Sequence, residues 1–180
     1  MSGAEARSIT EVARVVDRYP EEAFHFVRDG LNYAVEKVHG PATQAHQLLA
    51  RYIEQEGLDW GDLIEKYHTG ELREPVVQAI EAAGGCEKLN RHVGGRELCW
   101  GLRDFALERW GMMARTVLES WKVRRTDDFG NIVFAFIEKD LMQKQPDDDL
   151  RDFEDVYAFE EAFDGSYRVG IRPDGESANN

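Results

Sequence analysis

The chain has 180 residues, 42% of them apolar and 32% charged, with a formal net charge of -13 at pH 7. That length suits one domain burying roughly 70% of its unfolded surface, and the acidic balance argues against broad binding to nucleic-acid phosphates. Two cysteines make no disulfide framework, MSGAEARSITEVARVV lacks the cationic start and apolar run of a signal peptide, and no apolar stretch reaches the roughly 18 residues of a membrane span, so a cytoplasmic protein with reduced thiols and no membrane contact is expected.

Ser8-Ile9-Thr10-Glu11 reads as a capping box opening a short helix with Val12, Val15 and Val16 on its apolar face. Asp17 to Pro20 stops it, and Pro20 then begins a second helix with Glu21 and Glu22 in the first turn. Phe24, Val27, Leu31, Ala34, Val35 and Val38 recur at three- and four-residue steps along this helix, which Gly40-Pro41 ends. Residues 41–90 read as a helical insertion. It holds a helix over Gln44 to Glu56, a second capped by Asp59 and closed by Gly70, and a third begun by Pro75 and stopped by Gly84-Gly85.

A further helix is predicted over Gly95 to Trp110, with Leu98, Leu102, Phe105 and Ala106 on one face, and another over Met112 to Trp121. Thr126 suits an N-cap, with Asp127 and Asp128 in the first turn that follows and Phe129, Ile132, Val133, Phe136 and Ile137 facing inward. Leu141 to Lys144, the acidic turn Gln145 to Asp149 and the aromatic run Asp152 to Phe159 predict a β-hairpin. The resulting expectation is a mostly α protein, a helical bundle in a single domain over 1–173. Residues 95–159 form its winged-helix-like part with one small hairpin, and 174–180 are a disordered tail.

A winged helix that read DNA would present Arg, Lys, Asn or Gln from the helix at Thr126 to base edges. Here Asp127 and Asp128 lead that helix, Lys139 lies at its far end, and the wing carries Asp147, Asp148, Asp149, Asp152, Glu154 and Asp155. Lys122, Arg124, Arg125 and Lys139 remain as candidates for nucleic-acid contact, beside the plainer reading of solvated surface charge.

The stretch RHVGGRELCWGLRDFALERWGMMARTVLESWKVRRTDDFGNIVFAFIEKDLM, followed by DDLRDFEDVYAFEEAF, resembles the planctomycete–verrucomicrobial (Ver/Plancto) family of conserved hypothetical proteins. YPEEAFHFVRDGLNYAVEKV looks like the same family's N-terminal helix, and 125–141 is the most specific part. The resemblance implies a bacterial origin and supplies no activity and no catalytic residues. Family members tend to have a short link where this chain has 41–90, so the insertion bears on binding, oligomeric state or surface cover.

Cys86, His92 and Cys99 have metal-ligand types, with His68 as an available fourth, but their spacing matches no paired zinc knuckle; two buried thiols and a helix-start histidine is the plainer reading. Asp104 and Glu108 share a helix face and could do acid–base work only if one were desolvated. Asp147, Asp148 and Asp149 lack the glycine and terminal glutamate of a calcium loop. No nucleophile elbow, zincin motif or P-loop is present. The expectation is a non-enzymatic protein-interaction or regulatory module without a cofactor. It would bind an unknown protein partner, a basic one being among the options, through Asp148, Asp152, Phe153, Asp155 and Tyr157, with aromatics anchoring and charge orienting. A nucleic-acid-binding regulator, a zinc protein or enzyme, and a homo-oligomer stay open as alternatives.

Overall fold

The structure is a computed structural model that describes residues 3–164 except 143 and 147; of residues 3–8 and 87 it describes the backbone alone. The expected tail at 174–180 lies outside the described residues. Eight α-helices make up most of the described chain. They are α1 (Gly3–Val16), α2 (Glu21–His39), α3 (Gln44–Glu56), α4 (Trp60–Thr69), α5 (Glu74–Ala82), α6 (Gly95–Trp110), α7 (Ala114–Ser120) and α8 (Thr126–Glu138). Among the described residues no helix is long and apolar enough to cross a membrane.

The inward-facing residues fall into two separate apolar clusters. The larger joins α1, α2, α6, α7 and α8 around Phe24, Leu102, Leu118, Phe129 and Ile132, all fully buried. The smaller lies wholly within 41–90, where Leu49 of α3, Leu63 of α4, Ile80 of α5 and Leu89 close on one another. Local chemistry holds that segment: Thr43 and Asp59 cap α3 and α4 with reciprocal boxes, and Gly57 and Gly70 close them in the left-handed region. Its two ends meet where Arg91 donates to the Gly40 carbonyl and the His39 ring lies 3.0 Å from the His92 carbonyl.

The most extensive helix pairing is α2 against α6. It depends on small residues, since a Cβ built at Gly101 would lie 2.4 Å from the Ala34 Cβ. The helices therefore approach with almost nothing between them at that point. On α1, the periodicity assigns the face less well: Ile9, Val12 and Ala13 are buried, whereas Val15 is exposed. Val38, near the end of α2, is exposed as well.

The winged-helix-like part and its hairpin require correction. The described residues of 141–159 contain no strand. Leu150–Phe153 is a 3-10 turn, and residues 160–164 close in a single wide turn. Local side-chain bonds account for this. Asp149 accepts from the Arg151 amide, Asp152 from the Asp149 amide and Asp148 from the Gln145 amide, so carboxylates occupy the backbone donors a sheet ladder would need. Phe153, Phe159, Ala162 and Phe163 then turn inward as a strap over α6, α7 and α8. Phe153 presses so close to α8 that a Cβ at Gly130 would meet its side chain at 2.8 Å.

Gly101→Val should overpack the α2–α6 contact and cost about 2 kcal/mol, within the usual range for a core that cannot yield. Urea unfolding checks this; an unchanged midpoint would mean the two helices are not in contact there.

Candidate functional site

Asp128 is the third residue of α8 and is buried, with 4% of its surface exposed. Its Oδ1 accepts from the Tyr19 hydroxyl at 2.6 Å and from the Arg18 guanidinium at 2.7 Å. Its Oδ2 accepts from the backbone N–H groups of Arg124 at 2.9 Å and Arg125 at 3.1 Å. A carboxylate offers about four lone-pair sites, so this one is fully used. The Tyr19 hydroxyl in turn accepts from the Asn131 amide. One side chain thus caps α8 and docks the α1–α2 corner onto it.

Thr126 does not act as the cap. Arg125 is the N-cap residue, and the Thr126 hydroxyl accepts from the Val156 amide, pinning the strap to the start of α8. The acidic residue at the third helical position takes the capping role, a reciprocal contact that residue order alone does not distinguish from a threonine cap.

The turn before α8 is also unusual. The Val123 amide donates to the Leu118 carbonyl and the Lys122 amide to the Glu119 carbonyl, a Schellman closure of α7. Lys122 therefore occupies the left-handed position, with φ of 63°, where glycine is the usual residue.

These two devices bring Arg18, Lys122, Arg124 and Arg125 around one cleft of about 590 Å³, with Asp127, Asp128 and Asn131 completing its wall. Four cations face two carboxylates, a local positive excess in a chain of net charge -13. Arg18 is 60% exposed at its side chain and reaches the cleft while bonded to Asp128. Arg125 makes two long pairs, to Asp127 at 3.2 Å and Asp155 at 3.4 Å. Lys139, at the C-terminal end of α8, is separated from the cleft by the length of that helix, about 20 Å at 1.5 Å per residue.

The acidic and aromatic residues behave differently from expectation. Phe153 is buried, with 4% exposure. Tyr157 packs against Phe159 and Phe163 and donates its hydroxyl to the Cys99 carbonyl. The Phe153 ring is thus inside the core, and the Tyr157 ring is half-buried. Asp148 pairs with His92 at 3.0 Å, and Asp152 caps the turn beginning at Asp149. Arg151 beside Asp149 holds that carboxyl low, at about 2. Asp155 alone of the five stays fully outside, its side chain 89% exposed. Asp147 lies outside the described residues.

The metal candidates are dispersed. Cys86 packs against the smaller cluster and Cys99 is buried in the larger. Burial pushes the Cys99 thiol up to about 12 and raises that of Cys86. His68 is exposed on α4. Among the described residues no group of three or more His, Cys, Asp or Glu side chains is arranged to hold a metal ion. Asp104 pairs with Lys37 and Arg103, which commits it to ion pairs. Arg18, Tyr19 and the structural role of Asp128 were missed from the residues, because they join positions 110 apart in the chain. Comparison with protein-family models, with curated proteins and with solved structures found no match.

Asp128→Ala should cost about 3 kcal/mol, since it strands a buried phenol and two helix-start amides at once. Asp155→Ala should leave chemical unfolding nearly unchanged, because its pair with Arg125 is exposed. Equal effects would contradict the assignment.

Burial, reinforced by the Asp128 hydrogen bond, raises the Tyr19 pKa, and burial raises that of Tyr157. A folded-state pKa above the unfolded value adds stability that is complete below the unfolded value of about 10 and lost as pH climbs past it. Stability should therefore fall above about pH 10, and the Tyr19→Phe/Tyr157→Phe double variant should flatten that fall. Denaturant midpoints measured between neutral and strongly alkaline pH check this; an identical slope in the variant would contradict it.

Proposed function

We propose that this chain is a non-enzymatic, cytoplasmic protein-interaction module that recognises a phosphate or carboxylate group on a partner protein, held by Lys122, Arg124, Arg125 and Arg18. The observation that carries the reading is the placement of Lys122. A lysine at a left-handed helix-closing position costs on the order of 1 kcal/mol relative to glycine, and strain of that kind collects at ligand clamps. Here the strained residue lines the cleft together with three arginines. Guanidinium groups match the two-oxygen edge of a carboxylate or phosphate, and lysine adds a mobile point charge.

The size and setting of the cleft favour one anionic group over a polyanion. Lys139 stands at the far end of α8 beside Glu138 and Asp140, so no cationic stripe leads from the cleft along that helix. A duplex would meet that acidic end and the net charge of -13. The partner is thus a protein with a phosphorylated or acidic segment, in place of the basic partner suggested by the acid-rich C-terminal run. The resemblance to the planctomycete–verrucomicrobial family is part of the same proposal and adds no activity to it.

Lys122→Gly separates function from folding. It should raise stability by about 1 kcal/mol by removing the left-handed penalty. It should also weaken binding of inorganic phosphate and of a phosphoserine peptide, followed through the amide NMR signals of 122–125. Arg124→Glu should abolish both. Saturable shifts in the parent chain that Lys122→Gly and Arg124→Glu leave untouched, or no shifts at all, would overturn the reading. Salt-sensitive binding to random duplex with no response to the peptide would favour a nucleic-acid ligand instead.

A further inference from the structure

Away from the cationic cleft, α2, α6 and the second half of α8 diverge enough to leave a cavity of about 170 Å³. Leu31, Val35, Leu98, Val133, Phe134 and Ile137 form its walls, and Phe153 and Met142 of the strap close over them. Its rim is polar and carries Arg91, His92 and Asp148. Apolar side chains therefore surround a space reached past charged groups, the usual make-up of a small-molecule site.

Protein interiors hold few voids larger than a water molecule. An apolar cavity of about 150 Å³ stays dry and takes up benzene, so this one matches an occupant of that size. The rim adds a sign. Both oxygens of Asp148 are engaged, Oδ1 with the His92 ring at 3.0 Å and Oδ2 with the Gln145 amide. Arg91 is anchored by one N–H to the Gly40 carbonyl, and among the described residues its remaining donors have no partner. Arg91 thus stands at the opening with donors to spare.

We propose that this cavity binds a small carboxylic acid, with an aromatic ring or branched aliphatic group inside and the carboxylate held at the rim by Arg91. Such a ligand would touch α2, α6, α8 and the strap together, at the root of the 41–90 segment. The proposal stands apart from the cleft at Lys122, which has no apolar enclosure of this kind.

Benzoate is the test probe, with isovalerate as a second acid, benzylamine as the charge-reversed control and benzene as the uncharged one. Methyl NMR signals of Leu31, Leu98, Val133 and Ile137 should shift saturably with benzoate, isovalerate and benzene, and not with benzylamine. Arg91→Gln should weaken benzoate at least tenfold and leave benzene unchanged. Val35→Phe, which fills the cavity from a half-buried wall position, should abolish all three responses with the far-ultraviolet circular dichroism intact. If that variant fails to fold, Val35→Leu should weaken each response in proportion to the volume it removes. Equal binding of benzoate and benzylamine, silence at the four residues, or benzoate shifts confined to 122–125 and displaced by phosphate would each overturn the proposal.

Discussion

A single buried carboxylate organises the larger core. Asp128 would be costly to bury alone, because an ionised group loses its hydration and needs full replacement. It receives that replacement from two directions. Local donors come from the start of its own helix, and distant ones from the corner between α1 and α2. Removing either set would leave the carboxylate under-bonded, so helix capping and tertiary docking reinforce each other. The same contact holds Arg18 beside the turn that carries Lys122, Arg124 and Arg125, and the cationic cleft is a consequence of how the fold is fastened.

Several carboxylates among the described residues serve internal order. Asp148, Asp149 and Asp152 bond backbone amides of the strap, and Asp59 and Asp62 close a box at α4. Asp104 and Glu119 sit in ion pairs. A run that looks like an acidic docking surface is thus a set of caps over a buried aromatic strip in which Phe153, Phe159 and Phe163 complete the core. Against that background the cleft beside α8 is a place where four positive side chains converge around open space.

How much of this was legible in the residues depends on the range of the interaction concerned. The helices announced themselves through local signals. Asp59 with Asp62, glycines at 57 and 70, and the apolar spacing along α2, α6 and α8 each act within a few residues. The strap was misread because Phe153, Tyr157 and Phe159 resemble strand alternation, while the competing bonds from Asp148, Asp149 and Asp152 point to turns only once their partners are known. The basic run at Lys122, Arg124 and Arg125 was visible as a run, yet its relation to Arg18 crosses most of the chain. A usable clue to Lys122 did exist, since Leu118 and Val123 flank it with the apolar pair that accompanies a Schellman closure.

The most direct test of the Asp128 contact is amide hydrogen exchange at Arg124 and Arg125, whose N–H groups both point at Oδ2. These amides precede the first turn of α8 and have no helical acceptor of their own, so protection there must come from that carboxylate. The account predicts slow exchange at both amides in the parent chain and faster exchange in Tyr19→Phe, which withdraws a donor from the opposite oxygen. Exchange at the unprotected rate in the parent chain would contradict it.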